Sequence, residues 1–267
     1  MAHELGDVEY LSMTGDIRRQ VAPRCLLTPG DANSELVIFA PGVTHVDVVS
    51  ATATRLRVER HWRQHPGGRV SIERPTATGT AEQYLEMLAP LPAEVVILGG
   101  EPPMGSSRVA LVPATPIADE SAAVHAAGFA LEACEAARIS QARANIVALA
   151  IAELASNALR HATDTIAPVV VAATVHGRTR TLEVAATDLG QGFSEAKDAH
   201  RLLGRIPGAS GGSGGLAHLI RQGRRRSVNV TVEMLAGRGR LRWAWNSHRA
   251  EPLAYIPGTT VVVRVTT

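Results

Sequence analysis

Three short stretches of the chain carry side chains whose types and spacing suit chemistry on a charged ligand. The first is Glu153-Leu-Ala-Ser-Asn157-Ala-Leu-Arg-His161. On a helix, Glu153, Asn157 and His161 stand at i, i+4 and i+8 and line one face. The surrounding segment is alanine-rich, and Ile146, Leu149 and Leu154 can serve a core. A polar stripe on such a helix faces either solvent or a partner such as water, metal or ligand. The second stretch is Asp188-Leu-Gly190-Gln-Gly192-Phe193, at the end of a mostly apolar run. Glycines at 190 and 192 let the backbone turn sharply and approach a ligand, although many ordinary turns share the pattern. The third is Gly211-Gly212-Ser213-Gly214-Gly215-Leu216. Exposed amides running into a helix N-terminus form an anion site, and the same composition also suits a flexible linker. The P-loop pattern GxxxxGK[ST] is absent.

The elements that must position these groups follow from periodicity. The spacing predicts helices over about 118–137 and 141–162, then strands over Val169–Val175 and Thr181–Thr187 joined by a hairpin loop at 176–179. A short helix is expected from Gly215 to about Gln222. Strands follow at 228–235 and 240–246, separated by a turn at Gly237-Arg238-Gly239, and a final strand covers 258–265. Helices followed by a mostly antiparallel sheet make an α/β sandwich. Upstream, Leu36–Ala40 reads as a buried strand, 46–64 as a helix, Arg69–Glu73 as a strand, 80–89 as a helix and Glu94–Leu98 as a strand. That order implies a small α/β domain with at least partly parallel pairing. Residues 1–34 show no clear period, and the Gly/Pro/Ser-rich stretch 99–107 reads as a linker. The expected organisation is a small α/β sensory or protein-interaction domain at 1–104 and a ligand-binding domain at 105–267.

Composition narrows the function classes. Of 267 residues, 45% are hydrophobic and only 3% aromatic, so a core of small aliphatic side chains is expected. Net charge is +2, which argues against bulk nucleic-acid binding. Arg221, Arg224, Arg225, Arg226, Arg238, Arg240 and Arg242 nevertheless share one C-terminal stretch. They read as a solvated helix end and strand edge, or as a docking surface for an acidic partner. Cys25 and Cys134 form no metal or disulfide framework. No signal pattern or run of 18 apolar residues occurs, so a cytoplasmic protein without membrane contact is expected.

In combination, the three stretches and the closing strand Gly258-Thr259-Thr260-Val261-Val262-Val263-Arg264-Val265 resemble the GHKL (Bergerat-fold) ATPases and kinases over residues 108–267. Val112-Pro113-Ala114-Thr115-Pro116 and Glu153–Ala162 are most similar to bacterial anti-sigma-factor serine/threonine kinases. The resemblance implies a two-layer α/β sandwich that binds ATP with Mg²⁺. By that resemblance Glu153 would be the general base and Asn157 the Mg²⁺ ligand, with His161 shaping the phosphate end. Asp188 would accept from the adenine amino group, with Gly190 and Gly192 passing close to the base. Gly212, Gly214 and Gly215 would cradle phosphates, with Lys197, Arg201 and Arg205 in a lid. Two registers of the glycine loop stay open, Ser213-Gly214-Gly215-Leu216 and Gly212-Ser213-Gly214-Gly215.

Three readings follow from the resemblance. One is a regulatory serine/threonine kinase in partner-switching signalling, which would bind a sigma factor or antagonist-like protein and form a homodimer. Another is the ATP-binding domain of a histidine-kinase-type protein, although no helical-hairpin phosphoacceptor region precedes it. The third is a scaffold that binds ATP without turnover, or has lost it. The N-terminal strand–helix order is similar to STAS domains but lacks their Asp-Ser-Gly-Leu-type phosphoacceptor turn.

Overall fold

The computed structural model describes residues 8–16, 35–45, 47–73, 86–88, 95–98, 108–161, 169–176, 180–190, 215–244 and 247–267. The described chain runs β1 (Val8–Asp16), β2 (Glu35–His45), α1 (Val48–Gln64), β3 (Arg69–Glu73), β4 (Val95–Leu98), β5 (Arg108–Ile117), α2 (Glu120–Ala136), α3 (Gln141–His161), β6 (Val169–His176), β7 (Leu182–Asp188), α4 (Gly215–Arg225), β8 (Asn229–Ala244) and β9 (Ser247–Thr266). β1 to β4 form a parallel sheet in chain order. β5 to β9 form an antiparallel sheet of order β5-β6-β7-β9-β8.

One face of the five-stranded sheet meets α2, α3 and α4. Each helix begins or packs for a local reason. Asp119 caps α2 by accepting from the Ala122 amide at 2.8 Å. Ile146, Val147, Ala150, Ile151, Leu154 and Ala158 turn one flank of α3 onto Val171, Val184 and Val263. The mixed α/β class with helices on an antiparallel sheet is as expected. Cys134 lies in this core, where burial pushes its thiol up to about 11, partly offset by Arg143. It therefore stays protonated at neutral pH and packs as a small apolar group.

The opposite face of the same sheet is covered by α1, which Asp47 caps through the Ser50 amide at 2.9 Å. α1 and the parallel sheet, through Leu36, Ile38, Val70 and Ile72, share one apolar cluster with Ala114, Val170, Ala172, Ala185 and Val262. The stack is thus parallel sheet, α1, antiparallel sheet, helices. Small side chains at 114, 172 and 185 let the helix approach the strands closely.

Two expectations need correcting. β1 lies in the stretch that shows no period. Val8–Asp16 mixes Ser, Thr, Gly and acidic residues with its apolar ones, and its pairing with β2 makes it a strand. Gly237-Arg238-Gly239 is not a turn, because β8 runs through it as a single strand. The pairing register shifts between Ala236 and Gly239, and Gly237 has φ +55°. The glycine serves a bulge rather than a reversal. Most of the expected helix 80–89, the stretch 99–107 and the loop residues 177–179 lie outside the described residues. No described helix is long and apolar enough to cross a membrane.

Ala185 is fully buried under α1. Ala185→Leu should lower stability by about 1–3 kcal/mol through overpacking, read by urea unfolding of the full chain.

Candidate functional site

The polar stripe on α3 has a partner rather than a purely solvated face. Glu153 and Asn157 are half-buried on α3, opposite the start of α4. A Cβ on Gly215, the first residue of α4, would collide with the Glu153 carboxylate and stand 3.3 Å from Asn157 Nδ2. With no side chain at 215, the helix start comes this near without displacing the Glu153 carboxylate. The free amides of that helix end therefore lie beside a carboxylate and an amide side chain. An anionic ligand held by the amides would have a hard oxygen donor and a proton acceptor at hand. His161 ends α3, but its side chain is not described.

Asp188 ends β7 on the helix-bearing face and is only 8% exposed. Its Oδ1 accepts from the Gly190 amide at 2.7 Å, which leaves Oδ2 to accept from a ligand N–H. Burial raises its pKa to about 6, although the Gly190 hydrogen bond pulls the other way. Across the ladder Asp188 pairs with Thr259. The neighbouring Gly258 has φ +71°, and a Cβ there would run into the Asp188 carbonyl. The reading of 258–265 as a plain strand missed this approach. Its signal was a glycine at the start of a β-branched run.

Of the expected site residues, Glu153, Asn157 and Gly215 come together, and Asp188 and Gly190 form a second group on the same face of the sheet. Gly192, Gly212, Gly214, Lys197, Arg201 and Arg205 lie outside the described residues. Among the described residues no group of three or more His, Cys, Asp or Glu is placed to hold a metal. A cavity of about 290 Å³ opens at the far end of α4, lined by Ile220, Arg224, Ser227 and Val230 among others, and shares none of these residues. Arg221, Arg224, Arg225 and Arg226 are exposed there, as are Arg238 and Arg242 on β8, while Arg240 is held by Glu233 and Glu251.

Residues 117–231, from the end of β5 into β8, match the family model of the histidine kinase-like ATPase domain. That span contains Glu153, Asn157, Asp188 and Gly215. No curated protein and no solved structure shows significant similarity to the chain. The match covers less than half of the chain and supports a histidine kinase-like ATPase fold for this segment.

The buried aspartate gives stability a definite pH dependence. Its folded pKa, about 6, lies above its ordinary 3.8. The folded state therefore binds the extra proton between those values, and stability falls as pH rises through that window. The shift corresponds to roughly 3 kcal/mol. Asp188→Asn should remove this slope and raise stability at pH 7 by about 1–3 kcal/mol, as read by urea melts at pH 4.5 and pH 7.

Proposed function

We propose that the chain is an ATP-binding regulatory protein, a serine/threonine kinase of the anti-sigma-factor type that acts on a protein partner. The observation that carries this reading is the contact of Gly215 with Glu153 and Asn157, within the segment that matches an ATPase domain. The phosphates would lie against the first amides of α4, where the helix dipole favours negative charge. The missing Cβ at 215 leaves room for them beside α3. Asp188 would take the adenine amino group on Oδ2, and a base without that donor would leave the carboxylate unsatisfied.

Asn157 would hold Mg²⁺ through its amide oxygen, and the ion would supply charge neutralisation on the transferring phosphoryl group. Glu153 is close enough to the helix start to accept the proton of a serine or threonine hydroxyl presented by a partner. Phosphoryl transfer then needs the side chains already present for positioning and proton removal, and no covalent intermediate on the protein.

Calorimetry with Mg-ATP on the full chain tests the binding part. Asp188→Asn should weaken ATP by about 10- to 150-fold, the equivalent of about 1.5–3 kcal/mol for one charge-assisted hydrogen bond, and Asn157→Ala should weaken it only in the presence of Mg²⁺. Glu153→Gln should keep ATP binding yet reduce radiolabel transfer to a partner protein by roughly 10²-fold or more. A wild type that binds no nucleotide would overturn the reading. One that binds ATP, but transfers label to no protein in an antagonist-like panel, would leave the non-catalytic module in its place.

A further inference from the structure

The helix that covers the back of the antiparallel sheet also reaches the end of the strand that carries Asp188. Thr52 of α1, Thr187 of β7 and Thr260 of β9 are each fully buried. Thr52 Oγ1 lies 2.8 Å from Thr187 Oγ1, and Thr187 Oγ1 lies 3.3 Å from Thr260 Oγ1. The proton order along this chain can be deduced. Thr52 donates its one hydroxyl proton to the Val49 carbonyl at 3.0 Å. It can then only accept from Thr187, so Thr187 donates to Thr52 and in turn accepts from Thr260. The series Thr260 to Thr187 to Thr52 to Val49 thus ends on the backbone of a helix more than 130 residues upstream.

Its position matters for the ligand site. Thr187 immediately precedes Asp188, and Thr260 immediately follows Thr259, the ladder partner of Asp188. Side chains alternate across a strand, so the threonines face α1 while Asp188 faces the helix-bearing side. The Asp188–Thr259 pair is therefore pinned from behind by α1. Among the described residues no β7–β9 pair follows Asp188–Thr259.

We propose that Thr52 is a positioning residue for nucleotide recognition, and that α1 is the element through which the N-terminal α/β unit regulates the ATP site. This rests on the reading of Asp188 as the adenine acceptor. A shift of α1 would leave the Thr187 hydroxyl proton without its acceptor in a closed apolar setting. β7 would then adjust and carry the carboxylate away from the adenine amino group. The consequence is specific. Recognition of the amino group weakens, while phosphate binding at Gly215 is untouched.

The test uses the full chain and two probes, ATP and inosine triphosphate, which has a 6-oxo group in place of the amino group. Thr52→Val keeps the shape and removes the acceptor. It should weaken ATP by about fivefold and leave inosine triphosphate within about twofold, whereas Thr52→Ser should restore the wild-type preference. A double variant, Thr52→Val with Thr187→Val, removes both polar partners and protects the experiment against a folding defect in the single variant. It should recover most of the ATP preference, because the hydroxyl proton stranded by Thr52→Val is gone with it, and a loss as large as in the single variant overturns the proposal. The proposal is overturned if Thr52→Val leaves both affinities unchanged, or lowers both equally as a purely packing role would. Asp188→Asn separates the two levels. If the wild type shows no ATP preference, or Asp188→Asn retains it, the Asp188 reading fails and the proposal with it. If Asp188→Asn abolishes the preference and Thr52→Val does not, only the role of Thr52 falls.

Discussion

The antiparallel sheet is apolar on both faces, and most of the architecture follows from that constraint. Every residue from Val169 to Val175 and from Leu182 to Asp188 is buried. A sheet with one wet face alternates apolar and polar side chains, and these strands do not. The α2–α3 layer can satisfy only one side. α1 satisfies the other, and it can approach closely because Ala114, Ala172 and Ala185 present little bulk. The arrangement also encloses polar groups on α1 itself. Arg55 is only 6% exposed and is bound to Glu59 one turn on at 2.8 Å. A charge enclosed between two sheets is tolerable when its counter-charge is delivered by the same helix, because the pair then docks as a unit.

Double coverage also explains why the two polar residues at the end of β7 behave differently. Thr187 and Asp188 are neighbours in sequence and equally enclosed, but they point in opposite directions. Thr187 finds hydroxyl partners from α1 and β9, so its burial costs little. Asp188 has one backbone amide and a strongly desolvated carboxylate, whose pKa rises accordingly. A group that destabilises the empty fold and offers an acceptor to a ligand is what a recognition site requires. The protein's own packing has not spent the second carboxylate oxygen, which stays able to accept.

Much of this was legible in the sequence, for identifiable reasons. Helix periodicity placed α2 and α3 within a residue or two, because their alanine-rich faces have no competing pattern. The i, i+4 spacing of Glu153 and Asn157 put both on one face, but spacing alone could not say what that face meets. That needed the three-dimensional approach of Gly215. The run Val169-Val170-Val171-Ala172-Ala173 was read only as a strand, and its lack of alternation fits the burial on both sides that the structure shows. A two-layer sandwich accounts for only one of those sides, and the second cover comes from a helix more than 100 residues upstream. Local pattern cannot reveal that partner. Neither can it find the Thr52–Thr187 bond, since buried threonines on a helix and a strand look ordinary in each segment. Gly237-Arg238-Gly239 misled for a different reason. A glycine at positive φ serves a bulge as readily as a turn, and only the pairing on either side decides between them.

The two close glycines show how the site is shaped by missing side chains as much as by present ones. Gly215 leaves the Glu153 carboxylate its place beside the start of α4, since a Cβ there would have to displace it. Gly258 sets the separation of β9 from the end of β7, since a Cβ there meets the Asp188 carbonyl and approaches Leu189 Cα to 3.1 Å. Gly258 adds a left-handed backbone that other residues adopt only at a cost. Each glycine thus leaves one acidic residue room to stand where it does. Glu153 gains a helix N-terminus within reach, and Asp188 gains a strand end that cannot drift toward β9. The chemistry of the carboxylates would be the same elsewhere on the sheet, and it is these two backbones that set where each one stands.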